Sequence, residues 1–142
     1  MLYTPHRIEA AAHISGAAWG FEPAMLMGLA EVESTLQHNP PRYGPKGKRW
    51  GPGPRGRKWN YCGLMQLRSG GRPMGTKPPI VFPPCEILIL FPELSMWFAS
   101  MHLHGWRRSV GPRKAYDAYN SGGGCGDGSF GRKVRRKARK WR

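Results

Sequence analysis

Acidic side chains are scarce in this chain: eight Asp and Glu stand against 23 Lys and Arg in 142 residues, for a formal net charge of +15. Cysteine is scarce as well. Cys62, Cys85 and Cys125 are an odd number without C-x-x-C spacing, which excludes a disulfide framework and a zinc knuckle and leaves open whether one pair oxidises. Long apolar runs are missing. The longest, Ile87-Leu88-Ile89-Leu90-Phe91, is far short of the roughly 20 residues that cross a bilayer, so no transmembrane segment is expected. Met1 to Arg7 lacks the basic-then-apolar pattern of a secretory signal, and no signal peptide is expected. There is no H-E-x-x-H, and His102 and His104 stand two apart, unlike structural zinc ligands; no metal and no cofactor is expected.

What the chain has in quantity is Gly and Pro, 20 and 14 of 142 residues, so much of it must be loop. Its length suits one compact domain, and 39% apolar residues suffice for a modest core. The basic excess is local. Residues 41–59 hold seven cations and no acid, residues 132–142 hold eight and no acid, and the other 112 residues balance eight against eight. The pattern predicts a neutral body, residues 1–128, with a basic Gly/Pro-rich insert at 41–59 and a flexible basic tail at 129–142. Each basic segment would be drawn to a polyanion such as nucleic acid, anionic lipid or an anionic wall polymer, and Arg132–Arg142 would serve an acidic virion protein, an anionic wall polymer or nucleic acid. Val134, Ala138 and Trp141 lie at i, i+4 and i+7, so the tail can coil as a basic amphipathic helix.

Thr4-Pro5 is an N-cap followed by proline at the first helical position and predicts a helix over about 5–19, stopped at Gly20. A second helix opens at Pro23 and is expected to reach about Gln37, before Asn39-Pro40-Pro41. A short strand or turn at 61–67, a helical stretch over about 86–107 broken near Pro92, and a helix from Pro112 to about Tyr119 follow. Gly51 to Gly56 spells G-x-G-x-x-G, but it follows no strand and holds two prolines, so it is no dinucleotide site.

In the second helix, about 100° per residue places Met25, Leu29, Val32 and Leu36 on one stripe and Glu33 on its shoulder, with Glu31 toward water. Spacing alone favours a Glu33 side chain turned outward to solvent; held at that margin instead, desolvation favours the neutral carboxylic acid, the form a glycosidase general acid needs. Three blocks then stand in order: Ala30-Glu31-Val32-Glu33-Ser34, Gly63-Leu64-Met65-Gln66-Leu67 and Ala118-Tyr119-Asn120-Ser121-Gly122. Together they resemble the signature blocks of the soluble lytic transglycosylases. That resemblance implies a mainly α, lysozyme-like (α+β) domain with a catalytic cleft, acting on peptidoglycan strands at the bond between N-acetylmuramic acid and N-acetylglucosamine. Glu33 would be the catalytic acid, then the base that closes a 1,6-anhydro ring. Ser34 would orient it, Met65 and Gln66 would line the sugar cleft, Tyr119 would set its hydroxyl near Glu33, and Asn120 would shape the floor. Met65 reads equally as core filling, and Asn120-Ser121-Gly122 as a helix stop.

Ordinary glycosidases use two carboxylates, and only Asp117 and Asp127 stand near enough in sequence to the third block to serve as the second. Were one of them in the cleft, a water-using muramidase of the goose-lysozyme type would be the better label. A non-catalytic virion or nucleic-acid-binding protein is the reading from a different class. Small enzymes of this kind resemble bacteriophage products, carried in the virion or released at lysis, acting at the cell wall or held in the host cytoplasm until lysis. Glu33 and Gly63 are 30 residues apart, a longer gap than the family leads one to expect, and the surplus is the basic insert.

Overall fold

The computed structural model describes residues 4–36, 61–124 and 126–142. The insert at 41–59, the expected end of the second helix at Gln37, and Cys125 lie outside the described residues. The architecture is mainly helical, and no helix among the described residues is long and apolar enough to cross a membrane.

Helix α1 (Pro5–Trp19) starts where the sequence places it, with the Thr4 hydroxyl accepting from the Arg7 amide at 3.2 Å, and ends at Gly20 in the left-handed region. Its last carbonyls, at Trp19 and Gly20, accept from the Arg107 guanidinium at 2.7 Å each, which satisfies groups a helix end leaves unpaired. Helix α2 (Pro23–Ser34) is the centre of the molecule, with Leu26, Met27, Leu29 and Ala30 all essentially without solvent contact. It stops three residues before Gln37 because Thr35 and Leu36 both take positive φ, 54° and 64°. A β-branched residue in that region is strained, so the chain turns sharply just after Glu33 and Ser34.

A two-residue antiparallel ladder follows, β1 (Tyr61–Cys62) against β2 (Leu67–Arg68), with Cys62 opposite Leu67. Pro92 divides the long helical stretch into α3 (Cys85–Leu90) and α4 (Pro92–Val110), as its missing N–H and fixed φ require. The helix expected from Pro112 begins three residues later, as α5 (Ala115–Ser121). Cys62 and Cys85 form a disulfide, so the hairpin is tied to the start of α3.

The largest departure from the sequence reading is at the C-terminal end. Residues 129–142 are not a flexible tail: they form α6 (Ser129–Ala138) and a 3-10 turn (Arg139–Trp141), packed against α2. Val134 and Ala138 are buried in that contact, and Gly131 is buried beside Asp117 of α5. The reason lies at Gly28, where a Cβ would fall 2.5 Å from the Val134 carbonyl oxygen and 2.9 Å from the Ala138 amide. Glycine there lets two helix backbones touch. Residues 129–142 therefore belong to the same core as residues 4–36, not to an appendage.

This docking also reverses the expectation for Glu31. Its side chain keeps only a tenth of its exposure and pairs with Lys140 at 2.5 Å and Lys137 at 3.6 Å. A wheel drawn for α2 alone sends Glu31 to water because it omits the helix that covers that side.

Candidate functional site

The turn joining β1 and β2 carries the second sequence block. Gly63 and Gln66 take positive φ, 76° and 50°, and a Cβ at 63 would lie 2.9 Å from the Leu88 carbonyl oxygen, so the close approach of turn to α3 demands glycine. The Gln66 side-chain amide donates to the Gly63 carbonyl at 3.0 Å, which steadies the turn from within. The Met65 peptide is gripped from both sides: its N–H donates to the Ser95 hydroxyl of α4 at 3.2 Å, and its carbonyl accepts from the Tyr119 hydroxyl of α5 at 2.6 Å. One phenol thus joins the second block to the third.

Beside this junction lies a cavity of about 340 Å³. Gln66, Tyr119 and Asn120 line it together with Phe82, His102 and Trp106, and Arg68 and Arg72 supply positive charge. His102 meets Phe82, Tyr119 and Trp106 edge-on, at 5.3, 5.4 and 6.0 Å between ring centres. Its Nδ1 accepts from the Met74 amide at 2.8 Å. Burial, and secondarily the Arg68 charge, push its pKa down to about 4, so the ring is neutral at physiological pH. An aromatic-walled pocket with amide and hydroxyl groups, and with arginines rather than carboxylates for its charge, suits a polar ligand that is uncharged or anionic and not a cation.

Glu33 is half-buried near the end of α2, and desolvation raises its pKa from the ordinary 4.5 to about 8. The acid is therefore held largely protonated at neutral pH. It is not among the residues lining the cavity; its tie to the site runs through Tyr119, whose phenol is pushed well up by burial and further by the Glu33 charge. Ser34 is buried, and its hydroxyl donates to the Ala30 carbonyl one turn back at 3.1 Å, so it is bound to its own helix. Met65 has no exposed surface: its side chain fills the core, and only its backbone serves the junction. Asn120 is exposed at the cavity.

Asp117 and Asp127 are engaged elsewhere. Asp117 is buried and accepts from the Gly131 amide at 2.9 Å, while Asp127 accepts from the Ser129 amide at 2.9 Å. Both cap the N-terminus of α6, where carboxylates complement the helix dipole. Among the described residues, no carboxylate lines the Gln66–Tyr119–Asn120 cavity, and no group of three or more His, Cys, Asp or Glu is placed to hold a metal ion.

His102, Trp106 and Phe82 are the lining residues that sequence reasoning missed. The His102–Trp106 spacing of i, i+4 put two large rings on one face of α4, but their meeting with Phe82 and Tyr119 depends on contacts far apart in the chain. Comparison with protein-family models, curated proteins and solved structures finds no match.

Proposed function

We propose that the protein is a lytic transglycosylase with a lysozyme-like arrangement, cleaving the β-1,4 bond from N-acetylmuramic acid to N-acetylglucosamine in peptidoglycan. The observation that carries this reading is Glu33, an acid held protonated by desolvation and coupled to Tyr119, whose hydroxyl also fixes the turn of the neighbouring cavity. In the reaction, Glu33 gives its proton to the glycosidic oxygen as that bond breaks. The resulting carboxylate then takes the proton of the muramyl C6 hydroxyl, whose oxygen bonds to C1 and closes the anhydro ring. Water is not consumed, and Glu33 ends as it began. Gln66 and Asn120 offer donors and acceptors to sugar hydroxyl and acetamido groups, and the aromatic walls take the apolar faces of the rings.

The placement of Asp117 and Asp127 at α6 favours this over hydrolysis, which calls for a second carboxylate flanking the bond. As a place of action we propose a bacteriophage particle or late lysis, with peptidoglycan as substrate. Mass spectrometry of digested peptidoglycan tests the chemistry. Muropeptides lighter by one water than lysozyme products are expected, and reducing-end products would replace this reading with a muramidase. If neither product forms, and Glu33→Gln leaves the behaviour of the protein unchanged, the binding-protein reading stands instead.

A further inference from the structure

We propose that the outward face of α6, continued by Arg113 and Lys114, binds the phosphate backbone of duplex nucleic acid without regard to sequence. This inference does not depend on the glycan-cleaving reading. Its starting point is how α6 divides its two sides. Val134 and Ala138 are taken up by α2 and Gly131 by Asp117 of α5, and the other side presents Arg132, Lys133, Arg136 and Lys137 to solvent, followed by Arg139 and Lys140. No acid occurs among residues 129–142.

Neutralisation of this face is incomplete. Glu31 takes Lys137 and Lys140, and Glu22 takes Arg142 at 2.6 Å. The Lys133, Arg136 and Arg139 side chains have no ion-pair or hydrogen-bond partner among the described residues. At the N-terminal end of α6, a second cavity of about 340 Å³ extends the basic surface. Arg113, Lys114, Arg132 and Arg135 line it with only Asp117 and Asp127 opposing them, and those two carboxylates are already bonded to α6 amides. Two separate elements thus converge four cations on one hollow beside a cationic helix face.

The apolar side of α6 decides between classes of polyanion. An interfacial helix holds a membrane by sinking its apolar face among the acyl chains. Here that face is sealed against Gly28, so a lipid surface would meet charge alone. A duplex rewards charge alone, because each neutralised phosphate releases condensed counterions, and it offers about one charge per 1.7 Å along its axis. Over the roughly 15 Å of a ten-residue helix that density far exceeds what an isolated anionic headgroup supplies. Arginine, half of the cations on this face, also matches phosphate with a two-pronged donor set. The face carries no Asn or Gln for adenine and no acid for cytosine, and its cations are the groups that phosphates engage, hence the expected indifference to sequence.

The test is fluorescence anisotropy of the full chain with two labelled duplexes of unrelated sequence, titrated across NaCl concentrations. Equal affinities are expected, with a log–log salt slope near −4 for four to five phosphate contacts, or about a 250-fold loss between 50 and 200 mM salt. The triple variant Lys133→Glu, Arg136→Glu, Arg139→Glu alters exposed side chains with no partner to lose, and unchanged thermal unfolding certifies its fold. It should bind at least about tenfold more weakly and with a flatter slope. Duplex binding that survives the triple reversal overturns the proposal. So does tighter binding to vesicles of anionic phospholipid, or to poly(glycerol phosphate), than to duplex at the same salt.

Discussion

Glu33 carries two separable consequences of one desolvated position. Its pKa is about 8 in the folded chain and near the ordinary 4.5 once unfolded. Between those values the folded state holds a proton that the unfolded state has lost, so stability falls as pH rises from about 4.5 and levels off above about 8. Glu33→Gln removes the penalty of the charge. Thermal melts should show the variant matching the parent at about pH 4 and exceeding it at alkaline pH, whatever the protein does to glycans. Lytic activity on purified cell walls should fall to background in the same variant, and in the parent it should decline as pH passes about 8 and the acid is lost. Tyr119→Phe isolates the junction: losing the hydroxyl's 2.6 Å bond to Met65 should cost about 1 kcal/mol, or more if the carbonyl stays dry, measured by denaturant unfolding. A larger fall in activity than in stability would mark the phenol as part of the chemistry.

At the scale of elements, the sequence was informative wherever a local cause sets the structure. Thr4-Pro5 capped α1, Gly20 ended it, and Pro92 cut α3 from α4, each through backbone chemistry confined to a few residues. The same reasoning failed for Glu31 and for residues 129–142, because helical periodicity shows that a face is apolar and not what will cover it. The 3.6-residue repeat of Val134, Ala138 and Trp141 was visible; its seat on Gly28 was not. Of the candidate site, resemblance set the Tyr119 hydroxyl near Glu33, whereas its bond to the Met65 carbonyl was not foreseen, nor were the hydrogen bond of Ser34 to its own helix and the full burial of Met65. The partner of Cys62 was equally beyond periodicity, since it lies 23 residues away. That bridge anchors the hairpin carrying Met65 and Gln66, and a loop of this length predicts a loss of about 3 kcal/mol on reduction. Thermal unfolding with and without dithiothreitol, with Cys62→Ala/Cys85→Ala as the control insensitive to reductant, measures it.

For the molecule as a whole, α2 is held by α1 on one side and α6 on another, so the helix bearing Glu33 depends on both. Gly28→Ala should destabilise by about 1–3 kcal/mol, since a methyl group must displace the α6 backbone rather than a flexible side chain. Val134→Asp places an unpaired charge in the same contact and should cost about 3–5 kcal/mol by chemical denaturation. Removing 129–142 is accordingly a folding experiment, because it uncovers the Gly28 flank of α2. Charge reversal on the outer face is the alteration that leaves the core intact.

The seat of α6 on Gly28 also orders events during synthesis. Residues 5–34 leave the ribosome early, yet the flank of α2 at Gly28 stays open until Val134 and Ala138 have followed. A nascent chain stalled before α6 therefore exposes that apolar flank to chaperones and proteases until Val134 and Ala138 close over it.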